Sequence, residues 1–166
     1  MNRIVVSAEA ALAFQGAVYP CALGRGGVTA EKREGDGATP AGVHPLRQVL
    51  YRQDRVSRPA TGLPAQPIRM HDGWCDDPRD PSYNRLVSLP HVCSAERLWR
   101  DDHVYDVVAV IGYNDRPPSP GLGSAIFLHV ARDRFAPTAG CVALAMDDLL
   151  AVLRDCDRDT EIDIRG

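Results

Sequence analysis

The chain has 166 residues, 45% of them hydrophobic, which is enough apolar material for one ordinary core. Its 19 Lys and Arg residues are outnumbered by 22 Asp and Glu, which excludes the basic surface of a nucleic-acid-binding protein. No apolar run approaches the roughly 20 residues of a membrane-spanning helix. We therefore expect a soluble protein with a single domain, residues 1–166, whose ligand is reached through a cleft.

The first third of the chain predicts three strands. Two are short and lie at residues 4–6 and 17–23, and the third is a core strand at residues 43–51. This last strand follows a turn in which Pro40 holds Thr39 in an extended conformation. Residues 52–67 contain three prolines, and we expect them to form a connection over the surface.

The loop at residues 68–84 has two interpretations. Trp74, Tyr83 and Asn84 stand there among Asp, Gly and Pro residues that favour turns. They either pack the loop against the core or form a cleft wall, where aromatic faces and an amide group suit amino-sugar and peptide ligands. The same loop contains His71, but no pattern around it supports a catalytic role.

The middle of the chain combines a buried strand with a stiff segment. Residues 94–100 predict one helical turn, and residues 105–111 predict the most strongly buried strand, because they form a continuous apolar run. Tyr113 and Asn114 follow it, either as structural residues or as ligand contacts at the edge of the sheet. Residues 116–123 contain three prolines, which remove backbone donors and exclude a central strand. We favour a rigid lip at the cleft over a simple connector.

The C-terminal part predicts a helix and a closing strand. Asp147 is suited to be the N-cap of a helix that ends at Arg154 and has leucines on one face. Residues 161–164 alternate polar and apolar side chains, as a strand does. Strands outnumber helices over the whole sequence. We therefore expect a mainly β fold that is mixed, mostly antiparallel and β-sandwich-like, with one or two short helices.

A cysteine and a histidine mark the candidate active site. His129 ends an apolar run that starts at residue 125, and Cys141 follows twelve positions later, before a second run at residues 142–144. Two strands that end at a common edge would bring the pair together. An imidazolium stabilises the nucleophilic thiolate, and Gly140 lets the amides of residues 140 and 141 face a developing oxyanion. The alternative is a buried cysteine with an unrelated histidine.

The cysteine spacing gives no indication of a metal. The chain has five cysteines and no C-x-x-C pair, and we expect no metal site and no other cofactor. An odd count in an oxidising compartment leaves at least one thiol free, and the nucleophile is the natural candidate. The alternative is that all five are unpaired, namely Cys21, Cys75, Cys93, Cys141 and Cys156.

Two blocks of the sequence resemble a known family. His129 followed by Thr138-Ala139-Gly140-Cys141 is similar to the motif of the L,D-transpeptidase catalytic domain family (YkuD-like), and residues 35–42, GDGATPAG, are similar to its upstream signature. The resemblance implies a β-sandwich-like catalytic domain that cross-links peptidoglycan stem peptides through a cysteine acyl-enzyme. It implies that Cys141 is the nucleophile, that His129 manages the proton and that the Val130 carbonyl orients the imidazole. Thr138 would either shape the turn or donate to the substrate.

The chain departs from this family pattern beside the cysteine. Ala139 and Ala143 stand where many members have polar residues, and Val130 replaces a glycine. The Thr-x-Gly-Cys-Val-Ala turn and the proline-rich lip resemble a compact proteobacterial subgroup, associated with cross-links from L-Ala of the donor to meso-diaminopimelate of the acceptor. We expect that linkage. The alternatives are hydrolysis at the same site, by an L,D-carboxypeptidase or amidase, and a non-catalytic peptidoglycan-binding module.

The resemblance also implies partners and a location. The partners would be peptidoglycan stem peptides and the glycan strand, with no nucleic acid and no membrane span, and we expect a monomer. The location would be the periplasm, at the cell wall. No clear signal peptide is visible, because Glu9 interrupts the short apolar stretch at the start of the chain. Export by another route or a longer precursor would resolve this conflict.

Overall fold

A computed structural model of the chain describes residues 2–166. This part of the chain is mainly β, as the sequence predicts, and contains one α-helix and one short 3₁₀ helix, η1. The elements in chain order are β1 (Arg3–Ser7), β2 (Ala11–Phe14), β3 (Ala17–Ala22), β4 (Val28–Thr29), β5 (Thr39–Pro40), β6 (Gly42–Tyr51), β7 (Ala65–Pro67), β8 (Asp72–Cys75), β9 (Leu86–Ser88), β10 (Ala95–Arg97), β11 (Val107–Ile111), β12 (Phe127–Val130), η1 (Asp133–Phe135), β13 (Val142–Leu144), α1 (Met146–Arg154) and β14 (Glu161–Ile164).

Nine strands form one mixed sheet that closes on itself. Its order is β11-β12-β13-β3-β2-β1-β14-β6-β7, and β11 also pairs with β6. The long strand β6 makes this closure possible, because its first half pairs with β14, Gly42 opposite Ile164, and its second half with β11, Leu50 opposite Val108. Most pairs are antiparallel, whereas β1–β14, β12–β13 and β6–β7 are parallel.

Two apolar clusters cover opposite faces of strand β12. Leu128 belongs to the larger cluster, which also contains residues of β1, β2, β14 and α1. Phe127 belongs to a smaller cluster with Trp74 and Tyr105, whose rings meet it edge to face at 5.1 and 5.7 Å. Because successive side chains of a strand point to opposite faces, β12 is buried on both sides. The small sheet β10-β8-β9 supplies Trp74 and carries the loops beside Phe127.

The predicted strands at residues 4–6, 17–23, 43–51, 105–111 and 161–164 are confirmed within one or two residues. Residues 94–100 contain strand β10 instead of the predicted helical turn, because Ala95 pairs with Cys75 of β8. The predicted surface connection at residues 52–67 ends in strand β7, which pairs with β6. Strand β2 was not predicted, although its side chains alternate between buried and half-buried.

The helix α1 begins one residue earlier than its predicted cap. Ala145 is the N-cap and makes no side-chain capping bond, whereas Asp147 lies in the first turn. A carboxylate there interacts favourably with the helix dipole, so the acidic residue stabilises this end without capping it. In the described part of the chain, no helix has the length and apolar character needed to cross a membrane.

The proline-rich segment at residues 116–123 forms no strand in the described chain, as predicted. The Asn114 side chain holds it by accepting a bond from the Ser119 amide and donating to the Ser119 and Gly123 carbonyls. From the other side, the Glu34 amide donates to the Gly121 carbonyl at 2.9 Å. The segment is therefore braced at both ends.

Candidate active site

The structure brings His129 and Cys141 to one cavity. In the parallel pair β12–β13, His129 lies opposite Ala143 and Leu128 opposite Val142, which puts Cys141 next to Phe127. Alternation along each strand then places Cys141 and His129 on the same face of the sheet. The residues lining the cavity include Arg25, Glu34, Gly35, Gly37, Asp76, Glu96, Arg100, Val104, Tyr105, Ser124, Ala125, Ile126, His129, Arg132, Thr138, Ala139 and Cys141.

The Cys141 thiol is held by backbone groups of the preceding strand. Its Sγ donates to the Ala125 carbonyl at 3.3 Å and accepts a bond from the Phe127 amide at 3.4 Å. Only 7% of the residue is exposed. Burial raises the pKa of this thiol to about 12, and the negative charge of Glu96 acts in the same direction. The thiol is therefore protonated in the free site at neutral pH.

The His129 ring has one nitrogen occupied and the other left as an acceptor. Its Nδ1 lies 2.9 Å from the carbonyl oxygen of Val130, which accepts a proton but cannot donate one. The hydrogen is thus on Nδ1, and the neutral ring keeps a lone pair on Nε2. Tyr105 packs edge to face on the ring at 5.3 Å. Burial lowers the pKa of His129 to about 4, against the weaker opposing effect of the Val130 carbonyl.

These surroundings correct the expected charge state. The sequence suggests a thiolate beside an imidazolium, but burial favours the neutral form of both Cys141 and His129. A neutral imidazole is nevertheless the form that accepts a proton. The arrangement suits a thiol that loses its proton only when a substrate carbonyl is in place.

Thr138 shapes the turn that carries the cysteine. Its hydroxyl donates to the Cys141 carbonyl at 2.7 Å and accepts a bond from the Gly140 amide at 3.1 Å. The Gly140 amide is therefore already bonded, which differs from the expectation that it faces a developing oxyanion. Thr138 also lines the cavity, so its position allows both roles expected for it, which are to shape the turn and to donate to the substrate.

The GDGATPAG block packs directly against this turn. Gly140 has φ +139°, and a Cβ at this position would lie 2.8 Å from the Ala38 carbonyl oxygen. On the other side, the Gly24 amide donates to the Thr39 hydroxyl at 2.8 Å, and a Cβ on Gly24 would lie 2.3 Å from the Gly37 oxygen. Both glycines are thus required by close backbone approach. The two sequence blocks form one structural unit around Cys141.

The cavity has charged walls that sequence reasoning did not find. Arg25, Arg100 and Arg132 line it together with three carboxylates, those of Glu34, Asp76 and Glu96. These residues come from separate loops and strands, so no local pattern links them.

Two of the carboxylates have firm partners. Tyr105 donates its hydroxyl to Glu96 at 2.5 Å, and Tyr83 donates to Glu34 at 2.9 Å. Asp76 differs, because its buried Oδ1 has no hydrogen-bond partner within residues 2–166. An unsatisfied buried carboxylate oxygen is costly, and a cationic or N–H group of a ligand would satisfy it.

Five residues expected to contact substrate lie outside the lining of this cavity. Asn84 instead links four groups: it accepts bonds from the Trp74 indole and the Ala125 amide, and donates to the carbonyls of Tyr113 and Asn114. Tyr113 donates its hydroxyl to the Leu122 carbonyl at 2.6 Å. Trp74, Tyr83 and Asn84 are buried. The polar groups of all five are hydrogen-bonded within the protein, and Trp74 and Asn84 line a second cavity. Their contact with substrate stays a prediction.

The proline-rich segment reaches the cavity only through its C-terminal neighbours. Ser124 and Ala125 line the cavity, whereas residues 117–122 lie outside its lining. The predicted lip is therefore a brace for the strand that leads to His129. Of the two alanines near the cysteine, Ala139 lines the cavity, and Ala143 is buried opposite His129 on the neighbouring strand.

A buried cysteine that shares one cavity with a histidine, whose Nδ1 is fixed by a backbone carbonyl, defines a candidate acyl-transfer domain of mainly β fold. The family model of the L,D-transpeptidase catalytic domain (YkuD) matches residues 2–164. The chain therefore belongs to this family. A search of curated proteins finds no match.

Solved structures with a similar chain course include L,D-transpeptidase 3 of Mycobacterium tuberculosis, crystallised with a faropenem-derived adduct, at 14% identity and TM-score 0.47. The helical cell shape determining protein Pgp2 of Campylobacter jejuni has 13% identity and TM-score 0.44. L,D-transpeptidase 1 of M. tuberculosis has 12% identity and TM-score 0.41. At least 98% of this chain is aligned in each, but it spans only 60%, 46% and 62% of their respective lengths.

Proposed function

We propose that this protein is a peptidoglycan L,D-transpeptidase that joins stem peptides through an acyl-enzyme on Cys141. The observation that carries the proposal is the single cavity shared by Cys141 and His129 in a chain of this family. Its charged walls suit a stem peptide, which presents carboxylate and ammonium groups together.

The first step forms a thioester. The Cys141 sulfur attacks a carbonyl carbon of the donor stem while His129 Nε2 takes the thiol proton, and the Val130 carbonyl stabilises the imidazolium through Nδ1–H. The C–N bond of the donor then breaks, and His129 returns the proton to the departing amine. The product is an S-acyl Cys141 and a shortened, released peptide.

The second step transfers the acyl group to an amine. The amine nitrogen of the acceptor forms a C–N bond with the thioester carbon, the C–S bond breaks, and the proton passes through His129 back to the Cys141 sulfur. The attacking nitrogen is a neutral amine, so an acceptor that arrives as an ammonium ion must be held near this carbon and release one proton to solvent before it attacks. Asp76 and Glu96 supply negative charge on the cavity wall for this purpose.

For the linkage, we propose L-Ala of the donor joined to meso-diaminopimelate of the acceptor. Ala139 leaves only a small apolar surface at the cavity beside Cys141, where a polar side chain would hold a charged donor centre. The carboxylates of Asp76 and Glu96 favour the diaminopimelate ammonium of the acceptor instead. The braced proline segment leads into Ser124 and Ala125, which lie on the cavity wall.

We propose the periplasm as the site of action and stem peptides with their glycan strand as partners, since these are the surroundings of the substrate.

The linkage is tested with the purified protein and disaccharide tetrapeptide as both donor and acceptor. Tandem mass spectrometry should find dimers joined through L-Ala of one stem and diaminopimelate of the other, with the remainder of the donor peptide released. Dimers that retain an intact donor tripeptide would overturn the linkage. Shortened monomers without dimers would show hydrolysis and overturn transpeptidation itself.

A further inference from the structure

A second cluster of reactive side chains lies at the end of β8 and in the two loops that flank β9, away from the cavity lining. The Cys75 sulfur, a carboxylate oxygen of Asp80 and a ring nitrogen of His91 all lie within 4.8 Å of one another. We propose that this cluster is a zinc site, with the Cys93 thiol as the fourth ligand, which fixes the loop that supports the cavity wall.

The three primary groups converge because separate backbone features direct them inward. Cys75 is the last residue of β8 and is buried. Asp80 sits in a turn where its Oδ1 accepts the Ser82 amide at 2.7 Å, which leaves Oδ2 facing His91 Nε2 at 3.1 Å. The Leu89 amide donates a hydrogen bond to the His71 carbonyl at 2.7 Å, and this contact directs the chain so that His91 lies against the turn that contains Asp80.

Cys93 completes a set of four donors. Its thiol pKa is raised by the nearby carboxylates of Asp80 and Asp77, which puts Cys93 close to the three donors but outside the group that lies within 4.8 Å, so its side chain would have to turn towards the metal. Asp77 is already paired with Arg79 at 3.0 Å, so Asp80 is the carboxylate left for a metal. All five cysteines are free of disulfides in residues 2–166, so both thiols are available.

The donor set matches zinc in type and in size. Zinc takes four tetrahedral ligands from Cys sulfur, His nitrogen and carboxylate oxygen, at bond lengths of about 2.0–2.3 Å, so that its donor atoms lie roughly 3.5 Å apart. Small side-chain movements would bring donors from within 4.8 Å to that spacing. Softer thiolate ligands disfavour magnesium and calcium. The absence of a C-x-x-C pair led to the expectation of no metal. Sequence spacing does not reveal this cluster, because the folding of the loops brings donors together that lie apart in the sequence.

A metal here would be structural. The cluster residues lie outside the lining of the cavity, but the loop they close carries Tyr83 and Asn84. Asn84 accepts the Ala125 amide at 3.0 Å, and the Ala125 carbonyl accepts the Cys141 thiol. Holding the loop therefore holds the wall from which the nucleophile is positioned.

The test uses the whole chain, stripped with a chelator under reducing conditions and then given zinc chloride. We expect one zinc per chain by mass spectrometry after gel filtration, and a higher melting temperature, because a ligand that binds only the folded state stabilises it. His91→Gln should weaken zinc binding at least about tenfold. His103→Gln is the matched control, since His103 also pairs with an aspartate, Asp106 at 2.7 Å, with no cysteine ligand assigned there.

Cobalt substitution supplies a readout that does not depend on stability. Bound cobalt should show a thiolate-to-metal charge-transfer band that Cys93→Ser weakens. Zinc that fails to bind, or that binds equally to the wild type and His91→Gln, would overturn the proposal. A Cys75–Cys93 disulfide found by peptide mapping of the protein isolated from its own compartment would overturn it as well.

Discussion

The Cys141 cavity and the Cys75 loop each combine a buried cysteine with a histidine, but the histidines have different partners. His129 Nδ1 donates to a backbone carbonyl, so the ring keeps an acceptor nitrogen. His91 faces the Asp80 carboxylate, and carboxylates surround its cysteine too. Burial raises the pKa of both thiols, and at Cys75 nearby aspartates add to the effect. The same two residue types thus suit proton transfer in one place and cation binding in the other.

The difference lies in what each cluster leaves unsatisfied. In the Cys141 cavity, the lone pair of the His129 ring and the buried Asp76 oxygen are the groups that a substrate would satisfy. Around Cys75 the donors already face one another, and only a cation is needed to join them. The same substitution, made at the histidine of each region, should therefore have a different effect.

The largest expected contrast is between the two histidines. His129→Gln removes the proton acceptor and should lower the rate of dimer formation by about 10²–10⁴-fold. His91→Gln should lower that rate far less, because His91 lies outside the cavity lining and acts only through the loop that supports the cavity wall. Initial rates by liquid chromatography measure both. Equal losses in the two variants would contradict the assignment of His129.

A pH titration of stability sharpens the same comparison. His129 has a pKa of about 4 in the folded protein, against an ordinary 6.5. Below pH 6.5 the His129 side chain therefore binds a proton in the unfolded chain but stays neutral in the folded chain. The free energy of unfolding consequently decreases as the pH falls from about 6.5 to 4. The loss amounts to roughly 3 kcal/mol. Urea unfolding of the wild type and His129→Gln at several pH values should show this loss of stability in the wild type alone. The same dependence of unfolding free energy on pH in both proteins would contradict the prediction.

Gly140 tests the packing of the two sequence blocks. Gly140→Ala puts a Cβ 2.8 Å from the Ala38 oxygen, whereas Gly27→Ala meets no atom of residues 2–166 within 4 Å, although both glycines have positive φ. The first should lose roughly 1–3 kcal/mol more stability than the second, which carries only the backbone strain. Urea denaturation compares them. Equal losses would mean that the turn can move away from Ala38.

The smallest expected effect concerns Asp76. Asp76→Asn removes one negative charge from the cavity and should raise the KM for the acceptor amine by several-fold, about 1 kcal/mol, with little change in kcat. The exposed Asp101→Asn is the control. Kinetics with the acceptor stem varied at fixed donor would measure the change. A fall in kcat without a change in KM would assign Asp76 a different role.

The sequence predicts those parts of the site that depend on one pair of neighbouring strands. His129 and Cys141 close or open apolar runs, and the parallel register of β12 and β13 then brings them together. The GDGATPAG block also carries a local signature, because Gly35, Gly37 and Gly42 all have a positive φ that favours glycine.

The remaining parts depend on contacts between distant loops. Arg25, Glu34 and Glu96 meet at one cavity although more than 60 residues separate the first from the last. The sequence leaves two interpretations open for Trp74 and Asn84, packing against the core or forming a cleft wall, and only the fold shows that both are buried. Residues 94–100 became a strand because β8 offers a pairing edge, which helix propensity does not register.

The central claim, that Cys141 carries the acyl group, is tested most directly by mass spectrometry of peptides from the acylated protein. The protein is mixed with disaccharide tetrapeptide, quenched in acid within the first turnovers and digested. We predict an adduct of the disaccharide–L-Ala acyl group on the peptide containing Cys141, and none in Cys141→Ala. An acyl group on another residue, or dimers made by Cys141→Ala at the wild-type rate, would contradict the account.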